Sequence, residues 1–370
     1  MLKTLFGLGV LGTVYWRKKL RDTPQYFHHP ESSNISYLKK SVFLKHPYVV
    51  SPWFTNPHLQ IIYHTIKQQQ QQNDLPLIIE DLSMPDGGIT QLAWLNQETT
   101  PDTPTIVILH TITGSPRSMK TMLEDLSKLT SWRIVMCLRR GHTLQHYPFT
   151  KINLMGDVPD LKIQIEHIQQ KFPKSSLYAV GSSAGTALLA RYLGEVNKET
   201  PFKAAFAYAP GYNLETAFNR IASPYDWYMA RKIKKAFFKP HHEQLTQLED
   251  YQEILKIKRL SQLQKSIYHL AGFDSYDDYL QACNPIQVFS DVAIPTLILN
   301  AEDDPICHID NAKQYLYIVE NNPFLTLLTT KYGSHCMHYQ GWRRPKSWAH
   351  LLIADYFLHQ HQIAQSHLNA

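Results

Sequence analysis

Residues 176–193 restrict this chain to few folds. An apolar, strand-like run, Ser176-Leu177-Tyr178-Ala179-Val180, enters the turn Gly181-Ser182-Ser183-Ala184-Gly185, and a helix-like run from Thr186 to Leu193 leaves it. A G-x-S-x-G string between a strand and a helix holds its central serine, here Ser183, in a strained conformation with the hydroxyl projecting clear of its neighbours. Glycine is a steric requirement at 181 and 185, because a Cβ at either position would meet the neighbouring strand or helix. Gly/Ser strings of this length also occur in surface loops. The strand before and the helix after argue against that reading here.

The same alternation extends along much of the chain. Leu77-Ile78-Ile79 and Thr90-Gln91-Leu92-Ala93-Trp94 flank Pro85-Asp86-Gly87-Gly88 as a β-hairpin. Further strands are expected at 105–109, 133–138, 204–208, 296–299 and 324–328, with helices at 118–129, 158–170, around 309–319 and at 348–359. Short, wholly apolar runs separated by amphipathic helices imply an α/β fold, a mostly parallel central sheet with helices on both faces. The alternation stops over 210–290, where Trp227, Tyr228, Met229, Phe237 and Phe238 stand among Arg231, Lys232, Lys234 and Lys235. A structureless loop of that length does not suit a compact domain, so a helical cap insertion is expected. The core is then read as 77–209 and 291–370.

Residues 1–21 form a membrane-anchor candidate: a nearly unbroken apolar run at 5–16 is followed at once by Arg17, Lys18, Lys19 and Arg21. A run of that length at ~1.5 Å per residue spans ~18 Å, short of the ~30 Å hydrocarbon core of a bilayer, which suits an interfacial anchor with its charges at the headgroups. A helix packed on the body is the alternative. The charges follow the apolar run and no small-residue cleavage site is evident, which disfavours a secretory signal. Residues 22–76 are read as an extended N-terminal arm, ordered at Pro52-Trp53-Phe54-Thr55-Asn56-Pro57-His58-Leu59-Gln60, with the glutamine run 68–72 as a flexible loop.

The net charge of +6 comes from scattered Lys and Arg, which fits an anionic surface such as a membrane and not a nucleic-acid partner. Cys137, Cys283, Cys307 and Cys336 contain no C-x-x-C, so neither a zinc site nor a disulfide framework is expected and a reducing compartment is compatible. Adjacent pairs such as His28-His29 and His241-His242 lack the i, i+4 spacing of a helical metal site.

A serine hydroxyl is a poor nucleophile until a base takes its proton and a carboxylate orients that base. In open parallel sheets such groups collect at the carboxyl ends of the strands. After the strand at 296–299 comes Asn300-Ala301-Glu302-Asp303-Asp304-Pro305, and after that at 324–328 comes Lys331-Tyr332-Gly333-Ser334-His335. Asp304 is the expected acid, with Asp303 and Glu302 as alternatives. His335 is the expected base, with His338 as the alternative, whereas His308 and His142 are read as pocket or surface histidines and Cys336 as a small filler. Serine, aspartate, histidine is the order the α/β-hydrolase scaffold imposes. The developing oxyanion needs amide donors. One is expected from Ala184, the other from the loop His110-Thr111-Ile112-Thr113-Gly114-Ser115, with Ile112 preferred over Thr111.

Taken in succession, Pro52-Trp53 with Asn56-Pro57-His58-Leu59-Gln60, the Asp86-Gly87-Gly88 hairpin, Leu109-His110 with Thr113-Gly114, Arg140-Gly141-His142, Gly156-Asp157 with Asp160-Leu161, the Ser183 turn, and Ala301 with Asp303-Asp304-Pro305 resemble the AB hydrolase 4 family of the α/β hydrolases, the abhydrolase-domain esterases and lipases. The resemblance covers about 45–360. It implies a membrane-associated serine hydrolase acting on acylglycerols, phospholipids or medium-chain esters, with Ser183 as nucleophile, Asp304 as acid and His335 as base. Some members transfer the acyl group to alcohols. The chain departs from the family pattern with Ala184 in place of methionine, Thr111 in place of glycine, and Gly333-Ser334-His335-Cys336-Met337 in place of Gly-Gly-His-x-Gly.

The expectation is therefore a serine esterase or lipase of lipid-like esters that needs no metal or organic cofactor, held at a membrane with its catalytic domain on the reducing, cytoplasmic side. The rival readings are an acyltransferase using the same three residues with an alcohol acceptor, and a catalytically silent member that binds lipid or a partner.

Overall fold

The apolar runs pair side by side in the computed structural model, which describes residues 20–70, 74–145, 147, 151–341 and 344–368. The central sheet has nine strands: β1 (Gln25–His28), β2 (Ile78–Ser83), β3 (Ile89–Leu95), β4 (Thr105–Leu109), β5 (Arg133–Leu138), β6 (Leu177–Ser182), β7 (Phe202–Tyr208), β8 (Thr296–Ala301) and β9 (Leu325–Thr330). Their spatial order is β1-β9-β8-β7-β6-β4-β5-β3-β2. The strands β5, β4, β6, β7, β8 and β9 run parallel. The hairpin β2–β3 continues the sheet antiparallel at one edge, and β1 closes the other edge antiparallel to β9.

Successive side chains of a strand point to opposite faces, and here both faces are covered, which is why the inner strands read as unbroken apolar runs. Ile106 and Ile108 of β4 pack with Leu123 and Leu126 of helix α2 (Pro116–Thr130) and with Leu352 and Ile353 of the C-terminal helix 348–368. Val107 and Leu109 pack on the other face with Leu161 and Ile165 of α3 (Val158–Lys171) and Leu189 and Leu193 of α4 (Ala184–Val196). Helix α2 starts on a capping box, in which the Ser115 and Ser118 side chains each serve the other's backbone N–H, with Pro116 in the first turn.

Three expectations for 22–76 are corrected. Residues 25–28 are a strand of the main sheet, so the regular fold begins before Leu77. The prolines do not extend the chain either: Pro52 opens a 3₁₀ turn and Pro57 opens helix α1 (Pro57–Gln70). The φ that proline fixes suits the first turn of a helix as well as an extended arm. Glutamine is a good helix former, and Gln68 to Gln70, expected in a loop, complete α1, where Gln68 Nε2 donates to Ser118 O at 2.6 Å. The helix expected around 309–319 is broken at Tyr315 into Ile309–Gln314 and Leu316–Asn321.

The anchor candidate 1–21 lies outside the described residues except for its last two positions. No described helix is long and apolar enough to cross a membrane. Residues 210–290 form short helical segments, and Phe218, Ile233, Phe237 and Phe238 pack down onto Ile112, Met155, Ala184 and Ala187 at the carboxyl edge of the sheet. That edge is where the candidate site lies.

Candidate active site

Ser183 occupies the turn from β6 into α4 at φ 52° and ψ −118°, a left-handed backbone that a serine adopts only when its surroundings impose it. Those surroundings leave room for glycine alone on either side. A Cβ at Gly181 would lie 2.7 Å from Gly185 O, and one at Gly185 would lie 2.1 Å from Leu109 O. The Ser183 N–H donates to Tyr208 O at 2.9 Å, which ties the turn to β7.

Asp304 follows β8 and is almost wholly buried. Its Oδ1 accepts the N–H groups of Ile306 at 2.7 Å and Cys307 at 2.9 Å, which fixes the carboxylate plane. Its Oδ2 accepts from His335 Nδ1 at 2.8 Å, and the other ring nitrogen, Nε2, lies 2.8 Å from Ser183 Oγ. With the ring neutral, Nδ1–H donates to the carboxylate and Nε2 accepts from the serine hydroxyl. Burial alone would lower the affinity of His335 for a proton. The Asp304 carboxylate, with Cys307 beside it, more than reverses this and raises the pKa.

The alternatives point elsewhere. His338 is buried between Tyr208 OH at 3.0 Å and Thr330 Oγ1 at 2.9 Å, and burial lowers its pKa to about 3. It anchors the loop that carries His335: Ser334, Cys336 and His338 all have positive φ, and a Cβ at Gly333 would lie 2.3 Å from the His338 ring. Asp303 Oδ1 accepts Ser334 N–H at 2.7 Å, Glu302 is exposed, and His308 caps the helix 309–314 from the surface. Asp303 is raised to about 7, by burial first and then by the adjacent Asp304 charge, against the hydrogen bond from Ser334.

Ala184 and Ile112 both line the space beside Ser183. The Ala184 N–H opens α4 and so has no acceptor within its helix. The loop holding Ile112 is pinned through its carbonyls. Arg139 Nη2 donates to Thr111 O at 2.8 Å, and His142 Nε2 donates to Ile112 O at 2.9 Å. Burial, with the neighbouring Arg139 charge, lowers His142 to about 3, so the ring is a neutral donor. Thr111 is not among the residues with positive φ, so a β-branched side chain stands there without left-handed strain. His142 is thus buried against this loop and is not a surface group. Its position in Arg140-Gly141-His142 was the only signal available, and spacing alone could not connect it to Ile112.

Two cavities meet at Ser183. A large one of about 840 Å³ runs between α1, α2 and the cap helix α5 (Ser223–Ile233), with Ile62, Ile66, Met119, Tyr228 and Met229 on its walls and His335 on its floor. A small one of about 50 Å³ lies on the α4 side, lined by Leu214, Phe218, Leu260 and Cys307. Neither is lined by an aspartate or glutamate among the described residues. Asp304, Cys307 and His335 offer donor atoms within 4.8 Å of one another. Two of the three already bond each other, so the set is a carboxylate–imidazole pair with a thiol alongside it.

The model of the Hydrolase_4 family, described as serine aminopeptidase, S33, matches residues 103–339. Phospholipase ABHD3 of Homo sapiens is 24% identical over 370 aligned positions, covering 94% of this chain and 87% of that protein. Medium-chain fatty acid ethyl ester synthase/esterase 2 of Saccharomyces cerevisiae is 24% identical, covering 69% of this chain and 62% of that one. Among solved structures, an esterase of Pyrobaculum calidifontis superposes with a TM-score of 0.51 at 15% identity, over 84% of this chain and 90% of that one, a likeness of fold.

Proposed function

The chain belongs to the Hydrolase_4 family and is a carboxylic ester hydrolase; from that premise we propose that it cleaves lipid-like esters through an acyl-enzyme on Ser183. The observation that carries this reading is the continuous chain from Ser183 Oγ through His335 to Asp304, with 2.8 Å at each link, on the floor of an apolar cavity. In the first step Ser183 Oγ attacks the ester carbonyl while its proton passes to His335 Nε2. Asp304 holds the ring with Nε2 toward the serine and stabilises the imidazolium. The oxyanion faces the N–H groups of Ala184 and Ile112. Collapse expels the alcohol, which leaves with the proton from Nε2, and a water then repeats the sequence on the acyl-enzyme to release the acid.

A peptide α-ammonium would call for a carboxylate in the site, and among the described residues neither cavity offers one, which favours an uncharged ester with an apolar chain over the amino terminus of a peptide. The relatives named phospholipase and ester synthase support the same substrate class. The apolar and basic segment 1–21 supports a location at a membrane surface, and the four free cysteines are compatible with its reducing side. Similarity to an ester synthase also favours a second outcome at the same acyl-enzyme, capture by an alcohol instead of water.

The test is labelling with a fluorophosphonate and release of fatty acid from a monoacylglycerol, with and without added ethanol. Labelling and acid release that both vanish in Ser183→Ala are expected. Labelling that persists in Ser183→Ala, or a native protein that neither labels nor releases acid, would overturn the proposal. Ethyl ester formed at the expense of acid would identify transfer.

A further inference from the structure

The helix α1 carries an apolar stripe on its outer side in addition to the Tyr63 side chain it packs against Phe54 and Tyr339. Two of its polar residues face the body: Gln60 is fully buried with Nε2 donating to Phe54 O at 2.9 Å, and His64 Nδ1 meets Tyr339 OH at 2.7 Å. Three of its apolar residues face outward, Leu59, Ile62 and Ile66, exposed by 45%, 52% and 47% at the i, i+3, i+7 spacing of a single stripe. Such stripes are normally the buried face of a helix, and a contiguous exposed one marks an interaction surface.

The cap helix α5 lies across the cavity mouth from α1, joined to it by His58 Nδ1 and Tyr225 OH at 2.6 Å with the two rings stacked. Its outward face carries Trp227 and Tyr228, about half exposed, and then Arg231, Lys232 and, just past its end, Lys235. Between 223 and 240 the one acidic residue, Asp226, is turned inward and bonded to Ser261, and α1 has none. An apolar stripe, an aromatic pair and a cationic flank free of exposed acid together have the chemistry of a surface that sinks into a headgroup layer and pairs with lipid phosphates. Ile62, Ile66 and Tyr228 also line the large cavity, so the stripe is continuous with the path to Ser183.

We propose that α1 and α5 form a docking face for an anionic phospholipid bilayer, seating the cavity mouth on the membrane so that a lipid ester passes to Ser183 without crossing water. This rests on the lipid-ester reading above. A protein partner suits the face less well, because the charges sit on one flank and the apolar residues surround the opening through which substrate enters.

The test uses the full chain with two double variants at exposed positions outside the cavity lining, Leu59→Asp with Trp227→Asp, and Arg231→Glu with Lys235→Glu. Each is assayed on a monomeric p-nitrophenyl ester, on a monoacylglycerol within phosphatidylserine-containing vesicles, and by vesicle flotation. Both variants should keep the rate on the soluble ester, lose at least tenfold in rate on vesicles, and float less than the native protein by the share that segment 1–21 does not carry. The native protein should float less as salt rises. Wild-type flotation and an unchanged ratio of vesicle to soluble rate in both variants would overturn the docking face while leaving hydrolysis intact. A native protein that floats in this variant-sensitive way yet cleaves neither ester would overturn the hydrolase reading alone.

Discussion

Replacing Asp304 by asparagine strikes the proposed proton relay where its geometry is most demanding. Oδ1 is held by two backbone amides, from Ile306 and Cys307, so an asparagine keeps its oxygen there and turns its NH₂ toward His335. A donor then stands where a carboxylate oxygen now accepts from Nδ1 at 2.8 Å. Nδ1 has to become the acceptor, the ring proton moves to Nε2, and Nε2–H faces Ser183 Oγ where a lone pair is needed. An imidazole locked in the wrong tautomer in this way lowers turnover by roughly 10⁴-fold, or ~5.5 kcal/mol of barrier. Both amide bonds and the side-chain volume survive, so thermal unfolding should stay within a few degrees of the native protein. The assay is kcat/KM on a soluble p-nitrophenyl ester at pH 7.5, with a melting curve on the same preparation. A loss of less than tenfold in a folded variant would refute Asp304 as the group that orients His335.

Two further outcomes follow from packing and burial. Gly185→Ala forces a methyl to 2.1 Å from Leu109 O, a backbone atom of β4 that cannot swing aside, so destabilisation of about 1–3 kcal/mol or more is expected in chemical denaturation together with lost esterase activity; native stability would contradict the close approach of α4 to β4. Asp303, raised to about 7 from 3.8 by burial and the neighbouring Asp304 charge, binds its proton more tightly in the folded than in the unfolded chain. Its contribution is therefore complete below pH ~4 and is lost as pH rises through 7, at up to ~1.4 kcal/mol per pH unit. Asp303→Asn should flatten that part of the stability profile measured by denaturant titration from pH 4 to 8, and an identical slope in the variant would refute the assignment.

The inner strands and the Ser183 turn were legible in the sequence because each depends on local pattern. A strand covered on both faces must be apolar throughout, and a turn as sharp as 181–185 must have glycine where any Cβ meets a neighbour. The strand 105–109 and the helix starting at 158 are found where periodicity places them, and Asp304 and His335 follow from the order of strands, since each leaves the carboxyl end of its own. The strand at 25–28 was not legible, for Gln-Tyr-Phe-His has no periodic signature and pairs only because β9 offers it an open edge. The helix 57–70 was misread for a related reason, because the backbone angle set by its first proline belongs to two conformations and the neighbouring chain selects one.

By itself the sequence determined the alternation of strand and helix and the strained serine, which are set by steric demands within a few residues of one another, and it placed the candidate acid and base at the ends of successive strands. Tertiary structure alone decided that His335 and not His338 meets Ser183, that His142 and Arg139 hold the loop bearing Ile112, and that α1 turns Ile62 and Ile66 outward beside the cavity. Those outcomes depend on distances between segments far apart in the chain. Such distances are fixed only when the whole core closes and each buried polar group must find its partner.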